Sequence, residues 1–165
     1  IVIAQGTHQA FHPGRTAQLR TQDGQTIGYA GELHPKLLQT ENLPERTCAF
    51  EVNFTELFAS RSGVPQASPI YGYPAATQDV ALVVDENIPA SEVAQALRDG
   101  AGELLEDLRV FDDYRGQGVE SGKKSLAFAM RFRAPDRTLT AEEASASREA
   151  AVAVAAERFG AVARV

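Results

Sequence analysis

Tryptophan is absent from the 165 residues, and cysteine and methionine occur once each. A lone thiol, Cys48, cannot close an intramolecular disulfide, so a packed core has to hold the fold. Nor can it carry an iron–sulfur cluster, which takes several thiolates. No apolar run approaches the ~20 residues that cross a bilayer, and no basic, apolar, small-residue leader opens the chain. These absences point to a reducing, cytoplasmic setting without a membrane. Residue 1 is Ile rather than Met, which reads as a piece of something longer. Catalytic motifs are missing too: there is no Gly-x-Ser-x-Gly elbow and no constellation of nucleophile and base. His8 and His12 are four apart, as two zinc ligands on a helix are, but no Cys, Asp or Glu set completes a metal site, so both read as turn or surface residues. Cys48 lies on an alternating strand, where a buried structural thiol is expected.

What is present is ordinary globular composition, 44% hydrophobic and 23% charged. The net charge of −6 argues against a nucleic-acid binder when taken globally. Its distribution argues the other way. From Arg109 to Arg137, seven cations (Arg109, Arg115, Lys123, Lys124, Arg131, Arg133, Arg137) meet only four carboxylates (Asp112, Asp113, Glu120, Asp136). A basic stretch inside an acidic shell suits a chain that meets a polyanion at one face; a strand with solvated Lys and Arg is the plainer alternative.

Residues 61–70, rich in Ser, Pro and Gly, read as a linker between a first segment, 1–60, and a domain over 71–165. In the first segment, Asp23-Gly24 between Ala17–Arg20 and Thr26–Leu33 signals a hairpin. His34-Pro35 opens a short helix, and Cys48, Phe50, Val52 and Phe54 alternate as on a half-buried strand. This is a partial antiparallel α+β body. The second half is better specified. Val80, Leu82 and Val84 mark a strand, a helix follows from Ser91 as cap, and Gly100 and Gly102 loosen its end. Leu108–Tyr114 and Lys123–Arg133 are strands joined by a glycine-rich loop. Thr140 and Glu143 form a capping box for an alanine-rich helix that Gly160 stops, and Val162–Val165 is a last strand. The order β-α-β-β-α-β predicts an α+β, ferredoxin-like antiparallel sheet with both helices on one face.

The other face is then bare. On the third strand Leu126, Phe128, Met130 and Phe132 point to the core; Ser125, Ala127, Ala129, Arg131 and Arg133 point away, making a flat face edged by cations. Gly116-Gln117-Gly118-Val119-Glu120-Ser121-Gly122 fails as a dinucleotide loop, because its third glycine is one place late and it enters a strand. Asp112 and Tyr114 share a face at a strand end, next to Arg115. A ring, a carboxylate and a guanidinium there can stack a base, accept from its edge and hold a phosphate.

Phe111-Asp112-Asp113-Tyr114-Arg115-Gly116, Gly122-Lys123-Lys124-Ser125-Leu126-Ala127, Arg137-Thr138-Leu139-Thr140 with Glu142-Glu143, and Glu157-Arg158-Phe159-Gly160 resemble, in order, the C-terminal ferredoxin-fold anticodon-binding domain of bacterial phenylalanine–tRNA ligase β subunits. Tyr73-Pro74-Ala75 and Asp79-Val80-Ala81-Leu82-Val83-Val84 match its start. Upstream, Phe11-His12-Pro13-Gly14-Arg15-Thr16-Ala17 and Ile27-Gly28-Tyr29-Ala30-Gly31-Glu32-Leu33-His34-Pro35 resemble the end of the β subunit's class II synthetase-like module. The resemblance implies a non-catalytic piece of an α2β2 ligase in which the α subunit aminoacylates tRNA(Phe), using ATP and Mg2+, with no cofactor in this chain. It maps the contacts to the first anticodon base onto Asp112, Tyr114 and Ser125. Arg115, Lys123, Arg131 and Arg133 are the expected phosphate contacts. Three departures stand out: Thr77 and Gln78 replace the family's basic residues, Asp113 takes a usually apolar place, and Arg148 interrupts the last helix's apolar side. A ferredoxin-like regulatory or dimerisation module without RNA binding is the alternative, opposed by Arg131 and Arg133, since a dimer face depletes charge at its core.

Overall fold

The computed structural model describes residues 1–60, 67 and 72–164, so most of the expected linker lies outside the described residues. The chain divides into two compact units, Ile1–Ala67 and Ser68–Val165.

In the first unit, strands β1 (Val2–Gln5), β2 (Phe11–Arg20), β3 (Thr26–Leu33) and β4 (Cys48–Val52) form an antiparallel sheet in chain order, with two short helices, α1 (Pro35–Thr40) and α2 (Phe54–Ala59). The Asp-Gly hairpin forms as expected: the Thr21 amide donates to the Gln25 carbonyl at 2.9 Å, closing the turn between β2 and β3. His34 caps α1, its Nδ1 accepting from the Lys36 amide at 3.2 Å. His8 and His12 do the same for their turns, accepting from the amides of Ala10 and Gly14. Cys48 departs from expectation and is exposed. The reason is position. β4 lies at the sheet edge beside β3, and among the described residues no layer covers the face that carries Cys48 and Phe50, so alternation there does not bury a set of side chains and Phe50 is 75% exposed.

The second unit runs β5 (Ala76–Asp85), α3 (Ala90–Ala101), β6 (Leu105–Tyr114), β7 (Lys123–Phe132), α4 (Ala141–Phe159) and β8 (Val162–Ala163). Its sheet has the order β6-β7-β5-β8 with every pair antiparallel. This is the expected ferredoxin-like arrangement. Leu82 and Val84 of β5 and Leu126, Phe128, Met130 and Phe132 of β7 are buried against Val93 and Leu97 of α3 and Ala144, Ala151 and Ala155 of α4. Each large apolar side chain so buried contributes about 1.5–3 kcal/mol relative to exposure.

The helix ends follow local chemistry. Thr140 and Glu143 form the capping box, and Gly160 closes α4 in the left-handed conformation, φ 61°. α3 starts earlier than its serine suggested: Pro89 is the cap residue, without a side-chain bond, and Ser91 lies inside the helix. Proline's fixed φ suits the extended entry to the helix, and the first turn is left without a side-chain cap. Gly100 is likewise inside α3, as a contact rather than a fray. A Cβ there would stand 2.7 Å from Ala151 Cα, so the absent side chain and the small residues of α4 let the two helix backbones approach closely.

Candidate nucleic-acid interface

Both helices cover one face of the second sheet, and strand register assigns each residue to a face. Directly opposed residues in antiparallel strands share a face. The core residues Leu126, Phe128, Met130 and Phe132 face the helices, so Ser125, Ala127, Ala129 and Arg131 face away. β6 follows this only through a bulge. Val110 opposes Phe128, but Asp112 rather than Phe111 opposes Ala127, and Tyr114 opposes Ser125. The extra residue shifts the strand's parity. Without it Asp112 would share the face of Leu108 and Val110; with it, Asp112 and Tyr114 both point to the helix-free side.

Across the sheet, β5 contributes Ala81 opposite Ala127 and Val83 opposite Ser125. Beyond β8, the Arg164 amide donates to the Ala81 carbonyl at 2.8 Å. Asp112, Tyr114, Ser125, Ala81, Ala127 and Arg164 line one shallow hollow of about 380 Å³. Its floor is two alanines and a serine that is 4% exposed, so nothing taller than a hydroxyl stands above the backbone. Tyr114 forms one wall. Its hydroxyl donates to the Gln117 carbonyl at 3.2 Å, and Gly116 lies so close that a Cβ would meet the Tyr114 Oη at 2.6 Å. The glycine-rich loop is thus a bracket for this ring. Among the described residues no side chain pairs with the Asp112 carboxylate, whereas its neighbour Asp113 binds Arg115 at 3.1 Å.

The four expected phosphate ligands are not gathered at the hollow. Arg115 is held by Asp113, and Lys123 by Glu120 at 2.8 Å, which with the charge of Glu120 raises the lysine above its ordinary pKa. Arg131 and Arg133 share one carboxylate, Glu106, at 2.5 and 3.1 Å; hydrogen bonding from Arg131 holds that carboxyl below the usual range. Arg133 also donates to the Tyr73 carbonyl. Arg131 stands six residues along β7 from Ser125, roughly 20 Å at strand rise. The basic stretch is real, but each of its four named members carries a carboxylate within reach.

Arg164 escaped sequence reasoning. Its place beside Ala81 follows from the β5–β8 pairing, for which a two-residue strand gives almost no periodic signal. Lys124 is a second surprise, 5% exposed on the helix side opposite Val84, where burial lowers its pKa.

An open, helix-free sheet face carrying a ring, a carboxylate without a side-chain partner among the described residues and a small-residue floor defines an open-faced ferredoxin-like module. The chain belongs to the family described as Ferredoxin-fold anticodon binding domain, which matches residues 72–164. Residues 1–54 match the Phenylalanyl tRNA synthetase beta chain CLM domain. Among similar proteins are the phenylalanine–tRNA ligase β subunits of Streptomyces avermitilis, 54% identical over 99% of this chain, Leifsonia xyli, 52% over 97%, and Thermobifida fusca, 50% over 99%. The match takes up 20%, 19% and 20% of those relatives, so the chain spans about a fifth of the length of the proteins it resembles.

Proposed function

We propose that this chain is the anticodon-reading end of a phenylalanine–tRNA ligase β subunit, binding the first anticodon base of tRNA(Phe) while aminoacylation takes place on an α subunit of an α2β2 assembly in the cytoplasm. In this reading residues 1–60 end a synthetase-like module, 61–70 link, and 71–165 bind RNA. One observation carries it: the convergence of Asp112, Tyr114 and Ser125 in a single hollow on the helix-free face. ATP and Mg2+ would belong to the assembly. Among the described residues no group of three or more His, Cys, Asp or Glu side chains could hold a metal ion.

The chemistry follows from the base. Phenylalanine codons end in U or C, so the first anticodon base is guanine, whose Watson–Crick edge presents two adjacent donors, N1–H and the exocyclic amine. A carboxylate accepts both, while adenine and uracil turn acceptors toward it. Asp112, unpaired among the described residues, is the group for that edge. The Tyr114 ring supplies stacking worth roughly 1–3 kcal/mol for any base, and the Ser125 hydroxyl orients the edge from the floor.

Affinity and discrimination should therefore separate. In the full ligase, with guanine compared against adenine at the first anticodon position, Tyr114→Ala weakens both tRNAs alike. Asp112→Ala selectively removes about 1–3 kcal/mol of the preference for guanine, by analogy with bidentate base readout. A guanine preference that survives Asp112→Ala defeats the assignment.

A further inference from the structure

We infer that Arg164 is a second guanine-reading group, which faces Asp112 across the hollow and leaves the Tyr114 ring to take the O6 and N7 acceptors of the base. This rests on the base-binding reading above and adds a residue that reading does not use.

Register sets the two groups against each other. Asp112 opposes Ala127, Ala127 opposes Ala81, and Arg164 bonds to Ala81 from the far edge. The four residues form one row across the whole sheet, so their backbones are three strand spacings, about 14 Å, apart. Only alanine methyl groups stand between. The Arg164 side chain lies across this floor: its guanidinium carbon is 5.3 Å from the centre of the Tyr114 ring, and a Cβ on Gly118 would meet its Nη2 at 3.3 Å. In the free protein, then, a cation arches from one sheet edge onto an aromatic ring at the other.

That position is incompatible with a base stacked between them. A base between two planar groups needs roughly 7 Å, twice the contact distance of stacked carbon atoms, and 5.3 Å does not provide it. A base on that ring face displaces the guanidinium, which remains tethered at the opposite rim. Guanine gives it a new partner. The edge next to the Watson–Crick donors carries O6 and N7, two acceptors whose spacing fits an arginine fork. Asp112 on the donors and Arg164 on the acceptors then hold the same base. Adenine would turn its N6 amine, a donor, toward the guanidinium, so both rims reject it.

The test uses the full ligase and tRNA(Phe) carrying guanine, 7-deazaguanine or adenine at the first anticodon position. Replacing N7 by CH removes one acceptor and leaves the Watson–Crick edge intact. Wild type should bind the 7-deazaguanine tRNA about threefold to tenfold more weakly than the guanine tRNA, the net worth of one hydrogen bond. In Arg164→Met, which keeps an apolar stem and loses the donors, the two tRNAs should bind equally. The ratio is insensitive to any uniform change from uncovering Tyr114 or from altered folding. A wild type that prefers guanine to adenine yet binds guanine and 7-deazaguanine alike overturns the role of Arg164 and leaves the base-binding reading standing. An equal 7-deazaguanine penalty in wild type and Arg164→Met also overturns it, since the N7 contact then lies elsewhere. No guanine preference at all in wild type overturns both.

Discussion

Tyr114 holds its place through a residue that contributes no side chain. A Cβ at Gly116 would stand 2.6 Å from the phenol oxygen and 2.8 Å from the ring carbon bearing it, closer than such atoms pack, and the flexible partner is the tyrosine. Gly116→Ala should therefore swing the ring off its bond to the Gln117 carbonyl. Binding of the full ligase to all anticodon variants should weaken together with the guanine preference retained, while stability changes by no more than about 0.5 kcal/mol, as for an exposed substitution. Titration and thermal unfolding of the one variant measure both; unchanged affinity would mean ring position is immaterial. At this scale the sequence was legible where neighbours decide. Spacing of two put Asp112 and Tyr114 on one face, but counting by twos from Leu108 through Val110 puts that face in the core. Only the bulge at Phe111, set by pairing with β7, turns them outward. Cys48 misled for a related reason: alternation reports a pleat, and burial additionally needs a layer to pack against.

Among the elements, α4 gives the most direct reading of local sequence. Its cap carries charge: Glu143 accepts from the Thr140 amide at 3.0 Å and from Arg137 at 2.6 Å, and these bonds hold its carboxyl below the ordinary value of 4.5. A depressed folded-state pKa means stability that is present above that ordinary value and lost as pH falls through the folded one. Thr140→Ala should cost about 1 kcal/mol at neutral pH. The cost of Glu143→Ala should shrink progressively below pH 4.5, in urea unfolding repeated along a pH series; a pH-independent cost would exclude the charged cap. The capping box and the Gly160 stop were legible because every participant lies within a turn of its partner. The start of α3 was not, since a proline cap leaves no hydrogen-bonding residue to recognise. β8 was legible as a strand and silent about its neighbour, which is why Arg164 went unseen.

For the molecule as a whole, an overall charge of −6 means that, under the proposed function, RNA would meet a locally basic stretch in an otherwise acidic chain, and pairing reduces how much of that stretch is available. Glu106 neutralises part of Arg131 and Arg133 together. Glu106→Gln should release both: if they reach phosphates, RNA binding tightens and the dependence of log affinity on log salt steepens by up to about 1.4, at roughly 0.7 per contact on single strands. Salt titration of the variant against wild type measures this, and an unchanged slope would make the pair a surface brace.

The row from Asp112 to Arg164 also has a history in time. One rim and most of the floor come from β6 and β7, consecutive in the chain, and Ala81 of β5 completes the floor, whereas the other rim arrives with β8, which joins β5 from about 80 residues away through two ladder pairs. Long loops close late and short ladders open first. The β8 rim is accordingly the part of the hollow expected to open most readily in the native state. In amide exchange the Arg164 N–H should lose its protection well ahead of β7.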